Sequence, residues 1–247
     1  MSDYNVSVVK YSRTAKILDV LKIIPLTDRK RCGHFGNVSF HFDSNIYKNV
    51  VKISGRVAAA NKVVLPRQHP STTGTKRSGN QSAQRDARSS LRLSGRFVYV
   101  QLCKLKNRQC TLHFDVTTKR NVTHSISLSS IFKDVKVGNR SVSIPLSRFT
   151  NRWTVLCLDL VDIVQRYFPN EGFRYLKRIT LCSNLLVAGI FSADTRFGYG
   201  DLPKPLSLLR REGKHWLDLY TWCNIPELVG AAAAAANQET QALALMN

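Results

Sequence analysis

The sequence predicts a mainly β protein: an antiparallel β sandwich, jelly-roll-like, with one or two short helices and a long basic loop. Three observations lead there. Apolar and polar residues alternate with period two in several segments, as in strands with one face in a core and the other in water. The runs Phe97-Val98-Tyr99-Val100 and Trp153 to Leu160 are apolar on both faces, which marks central strands, or strands covered on both sides. Helical periodicity is sparse.

Each element follows in chain order. Val38, Phe40 and Phe42 alternate with Asn37, Ser39 and His41, which predicts a strand whose aromatic side is buried. Leu112, Phe114 and Val116 alternate with Thr111, His113 and Asp115. Ile126 and Leu128 alternate with Ser125, Ser127 and Ser129, and Val142, Ile144 and Leu146 with Ser141, Ser143 and Pro145. Short strands joined by polar turns favour a sandwich. Between the strands, Asp159 is placed to cap a short helix that Pro169 stops, and Asp162 suits its first turn. A catalytic pair is the sharper reading of these two acids, but the sequence shows nothing that would raise either pKa.

The 247 residues suit one large β domain or two small ones. Residues 1–229 read as that single sandwich, with 67–94 a basic flexible loop inserted between strands, and 230–247 as an alanine-rich tail. The loop region offers Lys62, Arg67, Lys76, Arg77, Arg85, Arg88 and Arg92 as partner-binding candidates. It is either a solvated loop or an arm that orders on an acidic partner.

Lys and Arg total 37 against 16 Asp and Glu, a formal charge of +21. Such a field attracts polyanions: nucleic acid, anionic membrane or an acidic protein surface. The start, Met1-Ser2-Asp3-Tyr4, does not read as a secretory signal, and no apolar run reaches membrane-spanning length. Six scattered cysteines without a CxxC pair read as buried reduced thiols of an intracellular protein. There is no P-loop, GxGxxG, HExxH or GxSxG. Cys32-Gly33-His34 with His41 fits no common zinc spacing. The expectation is therefore no catalytic residue, no metal and no cofactor.

An ordered set of segments runs through the chain. It comprises Ile53-Ser-Gly55-Arg-Val57-Ala-Ala-Ala-Asn61, Ser94-Gly95-Arg96-Phe97-Val98-Tyr99-Val100 and Ile126-Ser-Leu-Ser-Ser-Ile131-Phe132-Lys133. It continues with Trp153-Thr-Val-Leu-Cys-Leu-Asp159-Leu160, Tyr175-Leu176-Lys-Arg-Ile179-Thr-Leu181-Cys182 and Val187-Ala-Gly-Ile190-Phe191-Ser192-Ala-Asp194. Leu202-Pro203-Lys-Pro205-Leu206 and Trp216-Leu-Asp-Leu-Tyr220 close it. Together these resemble the cilia- and flagella-associated protein twenty family, most nearly the amino-terminal domain of its large centriolar and ciliary WD-repeat members. The resemblance covers about residues 5–228. It departs from the family in a longer loop between Pro66 and Ser94 and in a more basic composition.

The resemblance implies a structural β sandwich rather than an enzyme. It implies binding to tubulin at the inner junction of doublet or triplet microtubules, beside other axonemal junction proteins, in the axoneme, basal body or centriole. Trp153, Trp216 and Tyr220 read as core-filling aromatics. Gly55 and Gly95 read as turn or bulge positions, and Asp194 as a turn residue. Nucleic-acid or ribosome binding is the alternative, because phosphate contacts need only Lys and Arg. No membrane partner is expected.

Overall fold

The alternating runs all become strands, and the apolar sides of all but the first meet between two sheets. The structure, a computed structural model, describes residues 17–68, 90–106, 108–146, 151–198, 203, 206–207 and 220–225. Most of the expected loop, together with the expected tail, Trp216 and the side chain of Tyr220, lies outside the described residues.

One sheet contains β1 (Ile17–Asp19), β3 (Asn37–Asp43), β4 (Lys48–Ser54), β6 (Phe97–Lys104), β11 (Trp153–Asp159), β13 (Leu185–Ala193) and β14 (Tyr220–Ile225). Its order is β14-β11-β6-β13-β4-β3, with β1 added to β13. The other contains β2 (Gly33–Phe35), β5 (Lys62–Leu65), β7 (Thr111–Thr118), β8 (Thr123–Ser129), β9 (Lys136–Gly138), β10 (Ser141–Pro145) and β12 (Phe173–Cys182). Its order is β2-β5-β12-β7-β8-β10-β9. Most pairings are antiparallel, but β8–β10 and β11–β14 are parallel, so both sheets are mixed. Alternation marks a strand without giving its neighbour's direction, which is why the sequence showed only the antiparallel arrangement.

The sheets face each other across one core. Val98, Val100 and Leu102 of β6 and Leu156 and Leu158 of β11 share it with Leu112, Phe114 and Val116 of β7 and Ile126 and Leu128 of β8. Burying each such side chain contributes about 1.5–3 kcal/mol. The short helices α1 (Val20–Ile23) and α2 (Leu160–Tyr167) plug the margins, α2 through Leu160, Ile163 and Val164. Asp159 caps α2 by accepting from the Asp162 N–H at 3.0 Å, as its position in the sequence suggested.

A second apolar layer explains why β6 and β11 are apolar on both faces. Phe97, Tyr99, Val155, Cys157 and Phe191 point away from the central core and are covered by Phe197 and Leu206. Gln101, wholly buried on the same face, donates to the Leu206 carbonyl at 2.5 Å. Trp153 is 6% exposed, packs with Ile46 and Val50, and donates from Nε1 to Asp43 at 3.3 Å.

One expectation is overturned. β3 forms where predicted, but its aromatic side is not buried: Phe40 is 43% and Phe42 62% exposed. The cause is position. Among the described residues β3 is the last strand of its sheet and pairs with β4 alone, so most of its inner face overhangs the sandwich.

Candidate functional site

The two acids raised as a catalytic pair have defined partners. Asp159 takes the Arg96 guanidinium at 3.0 and 2.7 Å as well as capping α2, and Asp162 pairs with Arg166 at 3.2 Å. His113 Nδ1 lies 2.8 Å from Ser127 Oγ on the outer face of the second sheet. A nucleophile–base pair would need an acid on the other ring nitrogen. The nearby acid, Asp115, instead holds Arg178 at 3.1 Å. Burial holds the His113 pKa below its ordinary value, with the Asp115 charge opposing the shift. His41 Nε2 contacts Ser39 Oγ at 2.8 Å, and among the described residues no three His, Cys, Asp or Glu converge as a metal set. All six cysteines are buried, and none is in a disulfide.

The motif residues also have defined places. Asn61 ties three segments together: its Oδ1 accepts from Asn37 N at 2.9 Å, its Nδ2 donates to Val57 O at 2.8 Å, and its carbonyl accepts from Ser183 N at 2.8 Å. Gly36 sits at φ +67°, and a Cβ there would lie 2.3 Å from Asn61 Oδ1. A Cβ on Gly55 would lie 2.1 Å from Asn61 Nδ2. Gly55 is therefore required by close approach. Gly95 is crowded in the same way by Ser192 Oγ, at 2.3 Å. Asp194 lies exposed in the bend after β13.

The basic candidates divide. Lys76, Arg77, Arg85 and Arg88 lie outside the described residues. Lys62, at the start of β5, sits 5.4 Å over the Phe35 ring. Arg92 is exposed with φ 53°. Arg67 donates from Nη1 to Arg29 O and from its backbone to Arg31 O, each at 2.7 Å. Arg31 and Arg67 also line an open cleft of about 390 Å³. Val20, Ile24 and Leu93 line its apolar part; Lys30, Arg31, Arg67 and Ser90 supply the polar part. Asp28 Oδ1 accepts from the N–H groups of Lys30 and Arg31 at 3.0 and 3.2 Å, fixing the turn that presents both cations. Lys30 and Arg31 are absent from the sequence-derived set. Their signal was the run Arg29-Lys30-Arg31 directly after Asp28, a turn former followed by three cations.

No described helix is long and apolar enough to cross a membrane. The fold and this surface define a basic, mixed β-sandwich domain. The chain belongs to the CFA20 domain family, which matches residues 10–210, in agreement with the resemblance read from the sequence. It is 26% identical over 235 residues to WD repeat-containing protein 90 of Homo sapiens, matching 85% of this chain and 12% of that protein. It is also 26% identical over 193 residues to Centriole proteome protein 16 of Chlamydomonas reinhardtii, matching 77% of this chain and 8% of that one. The chain thus spans a small part of these relatives. Among solved structures, an exo-β-agarase is similar at 7% identity and a TM-score of 0.35, over 69% of this chain and 24% of that one. A likeness of that size assigns nothing.

Proposed function

We propose that this chain is a non-enzymatic structural protein of the ciliary or flagellar axoneme, basal body or centriole. In this reading it binds the microtubule lattice at the inner junction of doublet or triplet microtubules, beside other junction proteins. The observation that carries the reading is the CFA20 domain match over residues 10–210, with a relative named as a centriole proteome protein. The +21 charge supports it, because tubulin is acidic.

The physics sets the form of the attachment. An exposed Lys or Arg against a carboxylate contributes only ~0.2–1 kcal/mol, so many pairs act together, and salt weakens them. The test is stepwise extraction of a tagged full chain from a flagellated cell. The protein is expected to stay with the insoluble cytoskeleton through detergent and nuclease and to leave as salt rises. Release by nuclease alone would overturn the reading and favour nucleic-acid binding.

A further inference from the structure

We propose that the open edge of β3 is a strand-addition site for an extended segment of a protein partner in which apolar and acidic residues alternate. This goes beyond the microtubule reading and does not depend on it.

Three observations combine. First, among the described residues β3 pairs on one side only, with β4. Asn61 Oδ1 takes the Asn37 N–H at the first residue of that open edge; from Ser39 to Asp43 the edge is a template for another strand. Natural edges are usually blunted by charge, proline or a bulge, yet this one carries exposed phenylalanine.

Second, the register fixes what each face offers. Phe40 lies opposite Val51 and Val38 opposite Ile53, and Val51 and Ile53 belong to the central core. Phe40 and Phe42 therefore continue the core face outward and, among the described residues, stay 43% and 62% exposed. Phe40 is 6.0 Å from the His34 ring and Phe42 is 6.3 Å from the 55%-exposed Tyr47. An added strand would set alternate apolar residues on this row, as neighbouring strands do across a ladder.

Third, the charge around the edge selects the occupant. On the other face Ser39 lies opposite Lys52 and Asp43 opposite Lys48. Ser39 is small, so a carboxylate on the added strand comes within reach of the Lys52 side chain. Arg56 and Lys62 lie at the Asn37 end, beside Ser54 and Asn61 in sequence. Lys52, Arg56 and Lys62 are the cations nearest the edge, against the Asp43 carboxylate, while Lys48 turns inward to Gln101 Oε1 at 3.5 Å. A second copy would bring the same cations together on a chain of charge +21, which opposes self-pairing. An acidic strand neutralises them.

The test uses the full chain and labelled peptides, read by fluorescence anisotropy. The probes are four Val-Glu repeats, the same peptide N-methylated at alternate residues, and four Val-Lys repeats. The Val-Glu peptide is expected to bind, more weakly as salt rises. Binding should fall at least about tenfold for the N-methylated form and for the Phe40→Ser/Phe42→Ser chain. Both phenylalanines are exposed, so that chain should keep the wild-type melting temperature. Lys52→Glu should shift preference toward the Val-Lys peptide. Absence of Val-Glu binding, or equal affinity for the double variant, would overturn the proposal. So would a wild-type dimer in sedimentation that the double variant abolishes, because it would assign the edge to a second copy. No microtubule enters the assay, so its outcome is separate from that of the extraction experiment.

Discussion

The hydroxyl of Tyr99 accepts a hydrogen bond from the backbone N–H of Phe197 at 2.9 Å, joining β6 to a segment 98 residues further along the chain. The same hydroxyl donates to Thr195 O at 3.4 Å, and the two rings lie 5.9 Å apart. Tyr99 is wholly buried. Tyr99→Phe keeps the ring packing and leaves the Phe197 N–H without its acceptor. The expected cost is about 1–3 kcal/mol, with a lower Tm and an unchanged far-UV spectrum. The amide of Phe197 should also exchange faster with solvent. An unchanged Tm would mean the segment is held by apolar contact alone.

Asn61 and Gly55 form a coupled pair. Asn61→Ala removes the acceptor for Asn37 N and the donor to Val57 O, at an expected cost of about 0.5–1.5 kcal/mol per bond because water reaches both partners. Gly55→Ala places a Cβ 2.1 Å from the Asn61 amide, which two hydrogen bonds hold in place. Once Asn61 is alanine, the same substitution at Gly55 meets far less. A double-mutant cycle by chemical denaturation should therefore show coupling of about 0.5–3 kcal/mol. Additive losses would show that the crowding at Gly55 relaxes without Asn61.

Thiol burial predicts a fall in stability on the alkaline side. Burial, helped by the Asp28 charge, pushes Cys32 from 9.0 up to about 12. Burial and the Asp43 charge push Cys103 up to about 11. Above pH 9 the unfolded chain releases these protons while the folded chain keeps them, so unfolding gains. The contribution is complete below the ordinary thiol pKa and is lost as pH rises from there toward 11–12. Cys32→Ala should make the decline of stability with pH shallower than in the wild type over that interval. Thiol reagents should label the native chain slowly at pH 8 relative to the unfolded chain. Fast labelling, or equal alkaline slopes, would contradict the burial.

Removal of residues 69–89, bridged by a short Gly-Ser linker, separates attachment from folding. The flanks have their own anchors: Arg67 N donates to Arg31 O at 2.7 Å, and Leu91 N to Lys177 O at 2.8 Å. Cooperative thermal unfolding should survive the deletion. Under the proposed microtubule reading the shortened chain should leave isolated axonemes at lower salt than the full chain, because the deleted segment carries Lys76, Arg77, Arg85 and Arg88. Unchanged salt resistance would exclude the segment as a binding arm.

Much of the fold was legible because period two and double-faced apolar runs report burial directly. β6 and β11 read as central strands and are central; Leu112, Phe114 and Val116 read as inward and are fully buried. β3 shows the limit of that logic. Its pattern is that of a half-buried strand, but burial depends on what lies opposite, and Phe42 stands beyond the facing sheet. The parallel pairings of β10 and β14 depend on long connections that local pattern does not encode. Asn61 was visible as a motif residue, but its junction between Asn37, Val57 and Gly55 exists only once three segments meet. Arg67 was visible as a basic residue at the start of the expected loop, whereas Lys30 and Arg31 join it only through the fold.

The measurement that bears most directly on the structural, microtubule-bound reading is the position of a tagged full chain in a flagellated cell, by expansion microscopy with tubulin as the reference. The reading predicts signal along the axoneme or within the basal-body wall, at fixed radius from the tubulin density. Signal concentrated in the nucleolus or on ribosomes, lost after nuclease, would contradict it and turn the basic surface into a nucleic-acid contact.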